Sequence, residues 1–338
     1  MKKILAILMA VAMLLSMAAC GTAPTPATTA GTEAADQTEG TAAAQEKFVI
    51  GICQLVPHEA LDAATKGFMD RITEELGEEN VEFLVELGGG DTATCAPIVN
   101  DFVAKEVDLI LANATPALQA AAAATEDIPI LGTSVTEYGV ALELKDFAGV
   151  VGGNVSGTSD LAPLDQQAAM IKEWFPDAKN VGLLYCSAEA NSKYQVETVE
   201  AELTTLGYTC TKYSFTDSND LAAVTQAAAD ASDVIYIPTD NTAAAATETI
   251  DAICLEAKVP VITGEEGICK GCGIATLSIS YYDLGIATGA MAVEILREGA
   301  DIATMEVGYA DAVKKYDAER CEALGLTPPS EEYAAIEN

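Results

Sequence analysis

The sequence has few basic residues and few of the side chains that hold phosphates or metals. Seventeen Lys and Arg face 52 Asp and Glu, so the 338-residue chain carries a formal net charge of −35. Nucleic acid is excluded as a partner, because phosphate binding needs a basic face. One histidine, His58, and one Cys-x-x-Cys, at 269–272, make a zinc site improbable. Cys269 and Cys272 are expected to form a local disulfide or remain two free thiols.

Arginine is also scarce. Arg71, Arg297 and Arg320 all fall in helix-like or tail segments. Phosphate and dicarboxylate sites usually recruit bidentate arginine, so strongly anionic solutes are disfavoured. A single carboxylate held by hydroxyls and helix-end N–H groups remains possible, which fits an amino acid.

Long apolar runs are absent except at the N-terminus. Lys2 and Lys3 precede apolar residues 4–17, and two alanines and Cys20 follow. The run is shorter than the roughly 20 residues that cross a bilayer, and its layout is typical of a secretory signal. The cysteine after small residues resembles a bacterial lipoprotein signal, which implies cleavage before Cys20 and lipidation of its sulfur.

The segment after this leader has little to bury. Residues 21–46 are mostly Thr, Ala, Gly and Pro, a composition typical of a flexible linker. We therefore predict a signal peptide at 1–19 and a lipidated linker at 20–46. The remaining residues, from 47 onward, suffice for two medium-sized domains.

The rest of the chain repeats one α/β pattern. Each half contains a strand followed by a helix that a glycine ends, then a strand that opens a second helix, then a short Pro-containing strand. The paired segments are 49–53 with 181–186, the helices 59–76 with 190–206, 107–112 with 233–237, and 128–132 with 259–264. Such alternation predicts parallel sheets.

The duplication predicts an α/β fold of two doubly wound, parallel-sheet lobes joined by crossing hinge segments. Lobe 1 is expected at 47–154 plus 281–308, and lobe 2 at 155–280 plus 309–332. Ligands bind beyond the carboxyl ends of parallel strands. Two such ends facing each other form a cleft that can close by hinge motion, the architecture of a solute-binding protein.

Polar side chains gather at the predicted strand ends, where they could cap helices or hold a ligand. They are Thr115, Ser134, Thr136, Asn191, Ser192, Thr239, Asp240 and Asn241. Gln54 and His58 lie in the loop after the first strand and are further candidates. Asp160 and Asp240 are the candidates to pair with an ammonium group.

Short stretches along the whole folded part resemble the substrate-binding lipoproteins of ABC importers. They are 60–68, 107–110, 114–117, 159–163, 184–185, 189–192, 238–241 and 281–285. The chain is most similar to the tryptophan-binding-protein-like family, with the type I periplasmic-binding-protein fold. Pro57-His58-Glu59 departs from the usual Glu-His-Pro order of that family. The resemblance adds Ser159, Glu189, Tyr282 and Asp283 to the expected ligand-binding residues.

We therefore expect an extracytoplasmic, lipid-anchored protein that binds a small zwitterion by lobe closure and delivers it to an ABC permease and its ATPase. An aromatic amino acid is implied by the resemblance. No cofactor, metal or catalysis is expected. Alternatives are sugar or nucleoside binding by the same fold, a sensor that presents its ligand to a receptor, and an amino-acid racemase that uses Cys53 and Cys186 facing each other across the cleft.

Overall fold

Two parallel-dominated β-sheets with flanking helices form the part of the chain that the computed structural model describes, residues 47–337. The predicted signal peptide, Cys20 and the linker lie outside these residues. The strands are β1 Phe48–Gln54, β2 Val81–Leu87, β3 Leu109–Asn113, β4 Ile130–Val135, β5 Val155–Ser159, β6 Asn180–Cys186, β7 Thr209–Phe215, β8 Val234–Ile237, β9 Val261–Thr263, β10 Ala275–Ser278, β11 Gly308–Tyr309, β12 Val313–Tyr316 and β13 Ala334–Ala335.

Helices connect the strands and cover both faces of the sheets. They are α1 Glu59–Leu76, α2 Thr92–Ala104, α3 Thr115–Ala124, α4 Tyr138–Ala141, α5 Leu164–Trp174, α6 Ala190–Thr205, α7 Leu221–Ala231, α8 Asn241–Ala244, α9 Thr247–Ala257, α10 Glu266–Cys272, α11 Tyr281–Glu298 and α12 Ala318–Leu324. Among the described residues, none of these helices combines the length and apolarity needed to cross a membrane.

The sheets repeat one topology. The first has the order β11-β5-β4-β3-β1-β2 and the second the order β13-β12-β10-β9-β8-β6-β7. The segments β2-β1-β3-β4-β5 and β7-β6-β8-β9-β10 therefore follow the same path, and all their pairings are parallel. Only β12 runs antiparallel to its neighbour β10. The predicted α/β class with two doubly wound sheets is confirmed.

The first sheet is packed on both faces, as its strand β1 illustrates. Ile50 and Ile52 point into one core with Phe68 and Ile72 of α1. On the opposite face Cys53 packs with Phe102 of α2. Because side chains alternate along a strand, β1 supplies apolar groups to both layers, and its end is held rigidly between them.

The chain passes between the sheets three times. It leaves the first sheet after β5, returns between β10 and α11, and crosses again between β11 and β12. The first lobe extends past its expected end at residue 154, because β5 pairs with β4 from Val155 to Ser159. We call β1–β5, β11, α1–α4 and α11 the first lobe and the remaining elements the second lobe.

Candidate functional site

The carboxyl ends of the strands in the two lobes contact each other across a cleft. His58, which follows β1, places its Nε2 3.4 Å from Oδ1 of Asn241, which follows β8. A cavity of about 610 Å³ lies between the lobes. Its walls are Val56, Gly89–Ala93 and Pro116 from the first lobe, and Cys186, Ala188, Glu189, Thr216–Ser218, Thr242, Ala245 and Ala246 from the second.

Three buried polar atoms near this cleft lack partners within the described part of the chain. They are the hydroxyl of Ser134, Oδ1 of Asp160 and Oδ1 of Asn191. Leaving such atoms unpaired away from water is costly, so each is a candidate to bind a ligand, although none of the three residues lines the 610 Å³ cavity. Ser134 also has a φ of 54°, an uncommon backbone conformation for a residue with a side chain that often marks functional sites.

Asp160 begins the first crossing segment, directly after β5. Its side chain is 3% exposed, and its Oδ2 accepts a 2.8 Å hydrogen bond from the hydroxyl of Tyr281. Burial raises the pKa of Asp160 to about 6, although the hydrogen bond from Tyr281 opposes the shift. The carboxylate is thus ready to stabilise a cation brought by a ligand.

Glu189 and Asp240 are instead saturated by the second lobe. Glu189 accepts hydrogen bonds from the side chain of Asn191 and from backbone and side-chain groups of Asn241 and Thr242. Asp240 caps α8 by accepting from the backbone N–H of Ala243, and it also accepts from the N–H of Cys186. Burial, and then Glu189, raise the pKa of Asp240 to about 7. Both acids hold the cleft wall in place.

Several other expected ligand residues are similarly engaged within one lobe. Gln54 donates to Asp62 and accepts from Thr65 at the end of β1. Ser159 donates to the carbonyl of Thr136. Thr115 at the start of α3, Thr136 after β4, Ser192 in α6 and Thr239 after β8 are at most partly exposed at the strand ends.

Tyr282 and Asp283 are not part of the wall of the 610 Å³ cavity, although Tyr282 lines a smaller groove of about 280 Å³ between α1 and α10. Tyr282 is 39% exposed, and its hydroxyl donates to Asp70 on the outer side of α1. Asp283 is exposed in the first turn of α11, where its N–H bonds to Ser280. The preceding residue, Tyr281, occupies the buried position beside Asp160, because successive residues of a helix point about 100° apart.

Glu265 is a buried acid that the strand-end pattern did not identify. It is 2% exposed and caps α10 through the N–H groups of Gly267 and Ile268. Burial raises its pKa to about 7. The sequence does carry a signal for this role, because Glu265 stands between the short strand β9 and the first residue of α10.

The sequence model of the ABC transporter substrate binding protein family matches residues 49–316. The chain belongs to this family. A tyrosine-binding protein of Clostridioides difficile is 33% identical over 286 residues, which cover 83% of this chain and 81% of the relative. The resemblance seen in the sequence is therefore confirmed.

Solved structures of similar proteins agree with this family. A domain from Streptococcus pneumoniae in complex with L-Trp is 32% identical, with a TM-score of 0.81 over 86% of this chain and all of that chain. A ligand-free, open substrate-binding protein from Clostridium difficile is 34% identical, with a TM-score of 0.65 over 86% of this chain and 99% of that chain. At nearly equal identity, this substrate-binding protein superposes better on the L-Trp complex than on the open structure.

One ion pair joins the two lobes of the substrate-binding protein within the described part of the chain. Lys270 of α10 contacts Glu59 at the start of α1. Every other ion pair found there lies within one lobe, as for Lys314 with Glu173 at 2.8 Å. The Lys270–Glu59 pair forms where the lobes meet, so it stabilises this contact between them.

We expect Lys270→Gln to weaken solute binding by up to about fivefold at low salt, because a partly exposed ion pair contributes roughly 0.2–1 kcal/mol. Calorimetric titration with added NaCl should show the difference shrinking as charges are screened. The charge-swapped double variant Glu59→Lys with Lys270→Glu should recover part of the affinity. Lys314→Gln is the matched control, and an equal loss there would contradict a specific role for the interlobe pair.

Cys53 and Cys186, the two cysteines considered for a racemase, are not activated thiols. Cys53 is buried and hydrogen-bonds with Cys95 of its own lobe, and this contact together with burial raises the pKa of Cys53. Burial raises the pKa of Cys186 to about 11. A nucleophilic cysteine needs a lowered pKa, and the pKa of each of these two thiols is raised.

The cysteines of α10 are free thiols, as are all the cysteines in the described residues. Cys269 and Cys272 are both buried, and burial raises their pKa values. Arg320 closes this helix by donating to the carbonyls of residues 269, 270, 271 and 273. The end of α10 is therefore fixed by the Arg320 side chain. Separately, the described residues contain no cluster of metal-binding side chains.

Proposed function

We propose that this substrate-binding protein binds an aromatic amino acid between its lobes and delivers it to an ABC permease and ATPase. The observation that carries the proposal is the buried carboxylate of Asp160, which has one oxygen without a protein partner. Relatives named for tyrosine binding and for an L-Trp complex support the aromatic class.

The ammonium group of the solute pairs with Asp160 in this proposal. A compact cation suits a buried carboxylate whose second oxygen is already held. The hydroxyl of Ser134 and the side-chain oxygen of Asn191 are the further contacts, since both lack protein partners. The solute carboxylate is received by the N–H groups at the start of α3, where Thr115 stands.

The interlobe cavity receives the aromatic ring. Small apolar side chains line part of it, including Val56, Pro116, Ala188 and Ala245. Binding sites for small molecules are usually concave and apolar, with a few polar groups that fix orientation. These side chains give a ring an apolar contact surface, beside polar groups such as Thr92, Glu189 and Thr242 that also line the cavity.

The remaining expected residues act in the same cleft. His58 and Asn241 contact each other between the lobes, and Thr136 follows β4 while Ser192 lies in the first turn of α6. Gln54, Ser159, Glu189, Thr239 and Asp240 support these groups through hydrogen bonds within the lobes. Transport requires no covalent chemistry, and the raised pKa of Cys186 argues against thiol catalysis.

The protein works outside the cytoplasm, anchored through a lipid on Cys20. The leader supports this placement, since Lys2 and Lys3 precede a short apolar run and small residues. Two or more acyl chains give stable anchoring where one is marginal. The linker to residue 46 then lets the lobes reach a permease in the same membrane. Mass spectrometry of the mature N-terminus would detect the lipid.

Isothermal titration of the full-length protein with L-Trp, L-Tyr, L-Phe, glucose and adenosine tests the solute class. We expect binding of at least one aromatic amino acid, and about 100-fold weaker binding by Asp160→Asn. Removing one partner of a buried charge pair costs about 2–5 kcal/mol, and 100-fold corresponds to about 2.7 kcal/mol.

Asp165→Asn is the matched control, because Asp165 is an exposed acid only five positions along the chain, in the first turn of α5. It should bind as the unmodified protein does. Binding of glucose or adenosine alone would contradict the amino-acid assignment, while the chain would still belong to the substrate-binding family. Undiminished binding by Asp160→Asn would show that Asp160 does not contact the solute.

A further inference from the structure

Asp160 and Tyr281 join two of the three segments that cross between the lobes. Asp160 follows β5 where the chain leaves the first sheet, and Tyr281 begins α11 where the chain returns. Their side chains meet in a hydrogen bond of 2.8 Å. The ring of Tyr281 is buried among Ala60, Ala64 and Ile279, and its hydroxyl lies beside Asp160 and Thr239.

The two oxygens of Asp160 therefore differ. Oδ2 receives the hydroxyl of Tyr281, whereas Oδ1 is buried without a partner among the described residues. A carboxylate can rotate about its last bond, and the bond to Tyr281 selects one orientation. We propose that Tyr281 is a positioning residue, which fixes Asp160 with one oxygen free for the ammonium group of the solute and favours the charged form of that carboxylate.

This inference rests on the proposed function and adds a residue that acts through Asp160. Burial raises the pKa of Asp160 to about 6, and the hydrogen bond from Tyr281 limits that rise. The other titratable groups that face this pair are Tyr138 of α4 and Glu265 at the start of α10. Burial, and then the charge of Asp160, raise the pKa of Tyr138 and of Tyr281, so both phenols stay protonated and can donate.

The sign of the pH effect follows from the ionic pair. An ammonium group binds the deprotonated carboxylate, so affinity is full above about pH 6 and falls as the pH drops through that value. A free amino acid stays zwitterionic across this range. Without the hydroxyl of Tyr281, the charged form of Asp160 loses a donor, its pKa rises, and the loss of affinity begins at a higher pH.

The test is a set of dissociation constants for the tightest-binding aromatic amino acid, measured on the full-length protein from pH 5 to 8. We expect Tyr281→Phe to weaken binding about tenfold at pH 7, as a hydrogen bond to a charged group would. The midpoint of the pH profile should rise by about one pH unit. In the Asp160→Asn background, Tyr281→Phe should change the affinity less than about twofold, because the two residues act as one unit.

Tyr236→Phe is the matched control. Tyr236 is a buried tyrosine of β8 whose hydroxyl bonds to Gln167 inside the second lobe. Its loss should leave the pH midpoint unchanged. Incorporation of 3,5-difluorotyrosine at position 281 supplies a variant of nearly native shape with a stronger donor, and it should lower the midpoint.

The outcomes separate this inference from the proposed function. If the unmodified protein binds no aromatic amino acid, the proposed function fails and this inference falls with it. If it binds one and the midpoint is the same with Tyr, Phe and difluorotyrosine at position 281, the function stands and the positioning role is overturned. An equal loss from Tyr281→Phe with and without Asp160 would overturn it as well.

Discussion

Glu189→Gln is expected to destabilise the protein by about 3 kcal/mol and to abolish measurable solute binding. Glu189 is 3% exposed, and its two oxygens accept five hydrogen bonds from Asn191, Asn241 and Thr242. An amide keeps the shape of the side chain but replaces one acceptor by a donor. That donor then faces other donors, and buried groups left unpaired cost about 1–3 kcal/mol each.

The loss extends to the cleft because these donors belong to its wall. Asn241 begins α8 and reaches His58 of the first lobe, and Asn191 carries one of the unpaired oxygens. Urea denaturation of the variant should show a lower midpoint with an unchanged m-value. Glu202→Gln, at an exposed position of α6, should leave stability within about 0.5 kcal/mol. A stable Glu189→Gln variant that loses only binding would make Glu189 a direct ligand.

The repeated fold could be predicted because its signals are local. The predicted helix at 59–76 matches α1, and the helix predicted at 190–206 ends one residue before its expected end, at Thr205. Short β-rich runs, glycines after helices and their repetition in order are properties of neighbouring residues. The end of the first lobe could not be predicted from local signals. It depends on the pairing of β5 with β4, which assigns residues 155–159 to the first sheet.

The roles of the cleft residues could be predicted only in part. Ser, Thr, Asp, Asn and Glu at strand ends cap helices and bind ligands with the same atoms, so sequence alone does not separate Asp240, a cap, from Asp160, which keeps a free oxygen. Long-range partners make the difference: Tyr281 lies 121 positions from Asp160 along the chain.

The choice between Tyr281 and Tyr282 depends on how α11 rests on α1. Both tyrosines belong to one resembling stretch, yet Tyr281 is buried at the hinge and Tyr282 is exposed. A helix presents neighbouring residues on different faces. Which face meets the hinge is set by the close approach of the two helices, and two glycines permit that approach.

Gly285→Ala is expected to destabilise the first lobe by about 3 kcal/mol and to weaken solute binding through a displaced Tyr281. A Cβ atom at position 285 would lie 2.1 Å from the carbonyl oxygen of Ala64 on α1. At Gly67 of α1, a Cβ atom would lie 2.2 Å from the carbonyl oxygen of Tyr282. The obstructing atoms are backbone, so no side-chain rotation relieves the contact, and overpacking of this kind costs about 1–3 kcal/mol or more.

Gly153→Ala separates this packing effect from the general cost of replacing glycine. A Cβ atom at position 153 would meet nothing within 4 Å. The substitution is disfavoured only by the left-handed backbone conformation, with a φ of 63°, which costs a residue with a side chain about 1–2 kcal/mol. Thermal melting should therefore place Gly285→Ala well below Gly153→Ala. The pH profile of solute binding should shift upward for Gly285→Ala alone, because α11 carries Tyr281 at its first position. Equal melting temperatures for the two variants would mean that α11 can move away from α1 without loss, and that the helix contact does not fix the hinge.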